Sequence, residues 1–101
     1  MKKLDPTLTG QIKGDTLGAR MLASRTNARM TQKVAAMRIG ISPGQLGRIE
    51  RGAVGMVNDP HTLVWASRAY GVSDVWLYAG ATAGAHLVPD WYEAPDMEKA
   101  A

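Results

Sequence analysis

Apolar positions between residues 15 and 80 recur at helical rather than strand spacing. Leu17, Met21 and Leu22 fall at i, i+4 and i+5 and predict a first helix, capped by Asp15 and ending near Asn27. Thr31 is placed to cap a second helix over Gln32–Ile39, with Met30 and Ala35 spaced as a hydrophobic staple and Gly40 as its stop. The next start signal is fuller still. Ser42 is the cap, Pro43 suits the first helical position, and Gln45 stands three after the cap as in a capping box. Leu46 and Ile49 give this third helix a buried face, and Gly52 ends it. Asp59 before Pro60 opens a fourth helix running to about Tyr70, ahead of Gly71. Ser73 caps a fifth that ends at Gly80, with Val72, Trp76 and Leu77 as core. No strand pattern competes, so the expected fold class is all-α with five helices.

The flanks lack this period. Residues 1–14 contain Pro6, Gly10 and Gly14 and read as an arm. From Ala53 to Asn58 the chain is a Gly-containing apolar loop. Residues 80–84, Gly-Ala-Thr-Ala-Gly, read as a flexible hinge, and an acidic tail follows. The expected organisation is an arm over 1–14, a domain over 15–80, and a hinge and tail over 81–101.

Composition narrows the chemistry. The 101 residues suit one domain, and the 46% of hydrophobic residues is ordinary for a globular chain. Without cysteine, neither a disulfide nor a thiolate metal site can form. His61 and His86 have no Asp, Glu or His at ligand spacing, and no Ser–His–acid set is suggested. No metal, no cofactor and no enzymatic activity are therefore expected. Met-Lys-Lys-Leu is followed at once by Asp5 and Pro6, so no secretory h-region develops, and no apolar run approaches the ~20 residues of a membrane span. The expected location is the cytosol, without a membrane partner.

Charge is distributed unevenly. Residues 13–51 hold Lys13, Arg20, Arg25, Arg29, Lys33, Arg38, Arg48 and Arg51 against Asp15 and Glu50, a net +6 within a total of +3. Residues 84–101 hold Asp90, Glu93, Asp96 and Glu98 against Lys99, a net −3. Such asymmetry fits a polyanion-binding face with an acidic tail, or a solvated surface with ordinary solubility charge.

Two short helices joined by Gly40-Ile41-Ser42 form a helix-turn-helix, which aims its second helix at a major groove. Its demands are met: Ala36 is small where the helices cross, Gly40 permits a positive φ, and Leu46 and Ile49 face inward. The opposite face holds Gly44, Gly47, Arg48 and Arg51. Two glycines there cost roughly 1 kcal/mol of helix stability each, which close approach to DNA would explain. Arg48 can form a bidentate pair with guanine or grip a phosphate.

At this point the sequence resembles the phage-repressor and Cro-like helix-turn-helix proteins, the XRE family. The resemblance runs through Leu17-Gly18, Thr31-Gln32, Gly40-Ile41-Ser42, Arg48-Ile49-Glu50-Arg51-Gly52, Gly71-Val72-Ser73 and Trp76-Leu77. It implies a five-helix, λ-repressor-like domain. It also implies that Gln32 and Arg51 contact phosphate, that Ser42 sits at a phosphate or base edge, that Pro43, Gly44 and Arg48 stand where bases are read, and that Arg25 pairs with Glu50 in a structural salt bridge. Lys33, beside Gln32, is a further expected phosphate contact. Pro43 and Gly44 carry no hydrogen-bonding side chain, so direct readout would rest on Arg48 and Gln45, with DNA shape or Lys2 and Lys3 contributing. Gln45 either reaches a base or only completes its capping box.

The expected function is sequence-specific binding of double-stranded DNA, as a transcriptional repressor acting as a homodimer on a two-fold operator. The alternative is an antitoxin or partner-binding protein using the same fold to hold another protein, for which the loop Ala53–Val57 and the tail Leu87–Tyr92 are the candidate surfaces. Leu87, Val88, Trp91 and Tyr92 are expected to cover a neighbouring subunit, with Trp65 or Val75 receiving them, or else to fold back on their own domain.

Overall fold

The computed structural model describes residues 15–52 and 60–93, and these are all-helical. The helices are α1 (Leu17–Asn27), α2 (Gln32–Ile39), α3 (Pro43–Arg51), α4 (Pro60–Tyr70) and α5 (Asp74–Ala79), followed by two 3₁₀ turns at Gly80–Ala83 and Ala85–Leu87. The arm over 1–14, the loop over 53–59 and the acidic end over 94–101 lie outside the described residues. None of the described helices is long and apolar enough to cross a membrane.

Local chemistry sets most boundaries. The hydroxyls of Thr31, Ser42 and Ser73 accept the amides of Val34, Gln45 and Trp76 at 3.1, 3.0 and 3.2 Å, each satisfying an orphan donor of the helix it opens. Gly40 and Gly52 end α2 and α3 at φ 92° and 78°, where a side chain would be strained. The start of α1 differs from expectation. Thr16, not Asp15, is its N-cap and accepts Ala19 N–H at 3.1 Å. Asp15 is engaged elsewhere: its Oδ1 accepts from Arg20 at 2.7 Å and from the Tyr92 hydroxyl at 2.8 Å.

Met21, Ala35, Ala36, Ile39, Leu46, Ile49, Ala66, Tyr70, Trp76 and Leu77 form one core cluster. Its small members permit close crossings where α2 meets α3 and α4. The backbones of α1 and α3 approach closely at Gly18. A Cβ on Gly18 would stand 2.5 Å from the Ile49 carbonyl oxygen and 2.9 Å from that of Glu50. Glycine is thus required by the neighbouring backbone, not by its own dihedral angles.

In the carboxyl-terminal segment the apolar cluster takes the second of its two expected seats, on its own domain. Residues 80–84, expected as a flexible hinge, hold a 3₁₀ turn at Gly80–Ala83, and Gly80 (φ 68°) and Gly84 (φ 127°) turn the chain back into a second at Ala85–Leu87. Leu87, Val88 and Tyr92 then pack against the chain's own core. Tyr92 and Trp91 meet the ring of Trp76 edge-on at 4.9 and 6.1 Å. The intramolecular seat needs no loss of translational freedom, and it supplies Tyr92 with a hydrogen-bond partner as well as an aromatic face.

Candidate nucleic-acid interface

The turn Gly40–Ser42 presents α3 as a short rod held from beneath. Leu46 and Ile49 anchor its inner side in the core. Glu50, 1% exposed, adds an electrostatic anchor. Arg25 of α1 donates to both Glu50 oxygens, from Nε at 2.6 Å and from the guanidinium at 3.1 Å, and also reaches the Met30 carbonyl at 2.9 Å. The Gln32 amide of α2 donates to Glu50 Oε1 at 2.9 Å. One buried carboxylate therefore ties α1 and α2 to α3. A buried charge so fully matched fixes geometry even where its net contribution to stability is small.

Burial and the Glu50 carboxylate together raise the Tyr70 phenol well above its ordinary range, while Arg25 opposes the shift. The Tyr92 phenol is raised in the same way, first by burial and then by its hydrogen bond to Asp15.

The outer side of α3 is open. Ser42, Pro43, Gly44, Gln45 and Arg48 are exposed, Arg51 is half-buried, and nothing stands within 4 Å of where a Gly44 Cβ would lie. Beside it on α2, Lys33 and Arg38 are exposed and Gln32 is half-buried at the helix start. From Gln32 to Arg51 the only acid is Glu50, which is buried and paired, so the solvent side of the motif carries positive charge alone. Among the described residues no group of His, Asp or Glu gathers to hold a metal.

Two readings of this face change. Gly47 is buried rather than outward, since the ends of Arg51 and Gln32 lie over it, 3.1 and 3.4 Å from where its Cβ would be. Its smallness admits that layer, whereas Gly44 alone offers bare backbone to the outside. Arg20 also leaves the basic surface. It is 4% exposed and donates to the carbonyls of Leu77 and Tyr78 at 2.8 and 2.9 Å, and to Asp15. It thus closes the carboxyl end of α5, a role that no single-residue signal announces.

The remaining expected residues lie away from α3. Trp65 and Val75 are about half exposed, at 46 and 51%, as is Tyr78, which sequence reasoning did not single out, at 53%. Pro60, Leu63, Val64, Asp74, Val75 and Tyr78 line an apolar groove of about 250 Å³ between α4 and α5. The Arg68 guanidinium lies 5.3 Å from the Trp65 ring centre, a cation–π contact that partly covers that indole.

With this geometry, similarity to known proteins is specific. Residues 16–77 match the family described as helix-turn-helix domain. Comparison with curated protein sequences finds no match. Among solved structures, the fold is similar to the P22 c2 repressor protein, crystallised in complex with synthetic operator 9T in the presence of Tl+. That likeness has a TM-score of 0.58 at 23% identity and covers 65% of this chain and 97% of the other.

Proposed function

The chain belongs to the helix-turn-helix domain family, and from that premise we propose that it is a sequence-specific repressor binding double-stranded DNA through α3. The observation that carries this reading is the contrast between the two sides of α3. The inner side is locked by Leu46, Ile49 and the Arg25–Glu50–Gln32 knot, whereas the outer side presents Ser42, Pro43, Gly44, Gln45 and Arg48 to solvent under unopposed positive charge.

Arg48 reads guanine in the major groove, with Gln45 beside it, and Pro43 and Gly44 let the helix start approach the base edges. Gln32 and Ser42 contact phosphate, together with Lys33 and Arg51. The hydrogen bonds already made leave room for this, because a Gln amide has a second donor and the Ser42 hydroxyl, accepting from Gln45 N–H, still has its own proton to donate.

One short helix covers few base pairs, so the unit of binding is a homodimer on a two-fold site. The dimer surface is the groove between α4 and α5 with Trp65, Val75 and Tyr78, which is apolar and lies apart from α3. Footprinting on DNA flanking the protein's own gene tests the proposal. Protection of two half-sites about one helical turn apart is expected; no protection at any site there, and no preference among random duplexes, would reject it. The same apolar face supports a second reading, an antitoxin-like regulator that holds another protein there. Light scattering separates the two: a dimer of this chain alone favours the first, and a monomer that co-purifies with a different protein favours the second.

A further inference from the structure

The family match ends at residue 77, yet the described chain continues to Glu93 in close contact with the domain. These later residues close a loop of interactions that begins and ends at α1. Tyr92 donates to Asp15 Oδ1 at 2.8 Å; Asp15 accepts from Arg20 through both its carboxylate and its carbonyl; Arg20 in turn holds the Leu77 and Tyr78 carbonyls. Gly80 makes this possible, since a Cβ there would stand 2.7 Å from the Arg20 guanidinium and 2.9 Å from the Asp15 carboxylate. Trp91 and Tyr92 complete the seat by stacking edge-on around the buried Trp76 ring.

The first turn of α1 is therefore held on two sides. Gly18 rests on the Ile49 and Glu50 carbonyls of α3, and Asp15, which is paired with Arg20, is held by Tyr92 of the carboxyl-terminal segment. We infer that residues 80–93 are a clasp that governs how firmly α1 holds α3. When the clasp is seated, the start of α1 is pressed against the last turn of α3. When it is released, that turn loosens, and DNA affinity falls although no residue facing DNA has changed. The effect on DNA affinity rests on the function proposed above; the clasp itself does not.

Hydrogen exchange on the intact chain, without DNA, tests the clasp directly. Tyr92→Phe keeps the ring against Trp76 and removes only the bond to Asp15. It is expected to speed exchange at least about tenfold at Ala19 and Arg20 N–H, which bond Thr16, and at Gly52 N–H, which bonds the Ile49 carbonyl under Gly18. Tyr92→Ala should do so more strongly and lower Tm by ~10 °C. Faster exchange confined to residues 80–93, or an unchanged Gly52 amide in Tyr92→Phe, overturns the inference even if Tyr92→Ala fails to fold. A separate duplex titration then reads function: an intact chain that binds no DNA refutes the proposed function, whereas a released clasp with unchanged affinity refutes only the link between them.

Discussion

Gly18→Ala is the perturbation whose consequence the structure constrains most tightly. The added methyl would stand 2.5 Å from the Ile49 carbonyl oxygen and 2.9 Å from the Glu50 oxygen. The first distance is roughly 1 Å inside an ordinary van der Waals separation. Both opposing atoms are main chain of α3, so no side chain can swing aside; α1 must translate or tilt. Overpacking of this kind costs about 1–3 kcal/mol, and a contact with rigid backbone belongs in the upper half of that range. Against it stands the gain of roughly 1 kcal/mol from replacing glycine by alanine inside a helix. The net loss is about 1–2 kcal/mol, or a Tm lower by ~5–15 °C for a domain of this size. Gly44→Ala is the matched control. Nothing lies within 4 Å of its Cβ, so the helix gain is uncompensated and Tm should rise by a few degrees. Thermal denaturation followed by circular dichroism reads both. A Gly18→Ala protein as stable as the unsubstituted chain would refute the packing argument, since α1 and α3 would then not be in backbone contact.

Four further outcomes are expected. Gly44→Ala, although more stable, should bind duplex DNA at least several-fold more weakly in a fluorescence anisotropy titration; unchanged affinity would place Gly44 away from the DNA. Arg25→Met strands the buried Glu50 carboxylate and should cost about 3–5 kcal/mol, with much of the loss recovered in the double variant Arg25→Met/Glu50→Gln; additive losses in urea denaturation would show that the pair is uncoupled. Arg20→Met leaves the Leu77 and Tyr78 carbonyls without their donor and should cost about 2 kcal/mol or more by the same assay, while the salt dependence of DNA binding stays unchanged. Finally, Tyr70 and Tyr92 are both raised above the ordinary phenol value near 10, so the unfolded chain loses these protons first. Their contribution to stability is complete below pH 10 and is lost as pH rises above it, so unfolding at high pH should coincide with the appearance of tyrosinate absorbance from these two residues.

The parts of the fold legible in the sequence were those written by neighbours along the chain. Thr31, Ser42 and Ser73 act within three residues, and the glycines at 40, 52, 71 and 80 stop helices by their own dihedral freedom. The helix-turn-helix follows from these signals together with Ala36, Leu46 and Ile49. What the sequence hid depends on partners far along the chain. Asp15 looks like an N-cap until Arg20 and Tyr92 claim it. Arg20 counts as surface charge although it sits on the buried stripe, three residues after Leu17 and four before Ser24, and that position was the available clue. Gly18 and Gly47 carry no local reason to be glycine; one yields to the backbone of α3 and the other to the ends of Gln32 and Arg51. The apolar cluster of the tail states that it will be covered but not by which surface, a neighbouring subunit or its own domain.

If the outer face of α3 reads base sequence, Arg48 is the side chain whose loss must show it. Affinities of the intact chain and of Arg48→Ala should be measured on a selected duplex and on random duplexes across a range of salt. The expected result is a loss of about 1–3 kcal/mol on the selected duplex, little change on random ones, and a near-constant salt slope. Equal losses on both, with a shallower slope, would make Arg48 a phosphate contact and leave α3 without its base reader.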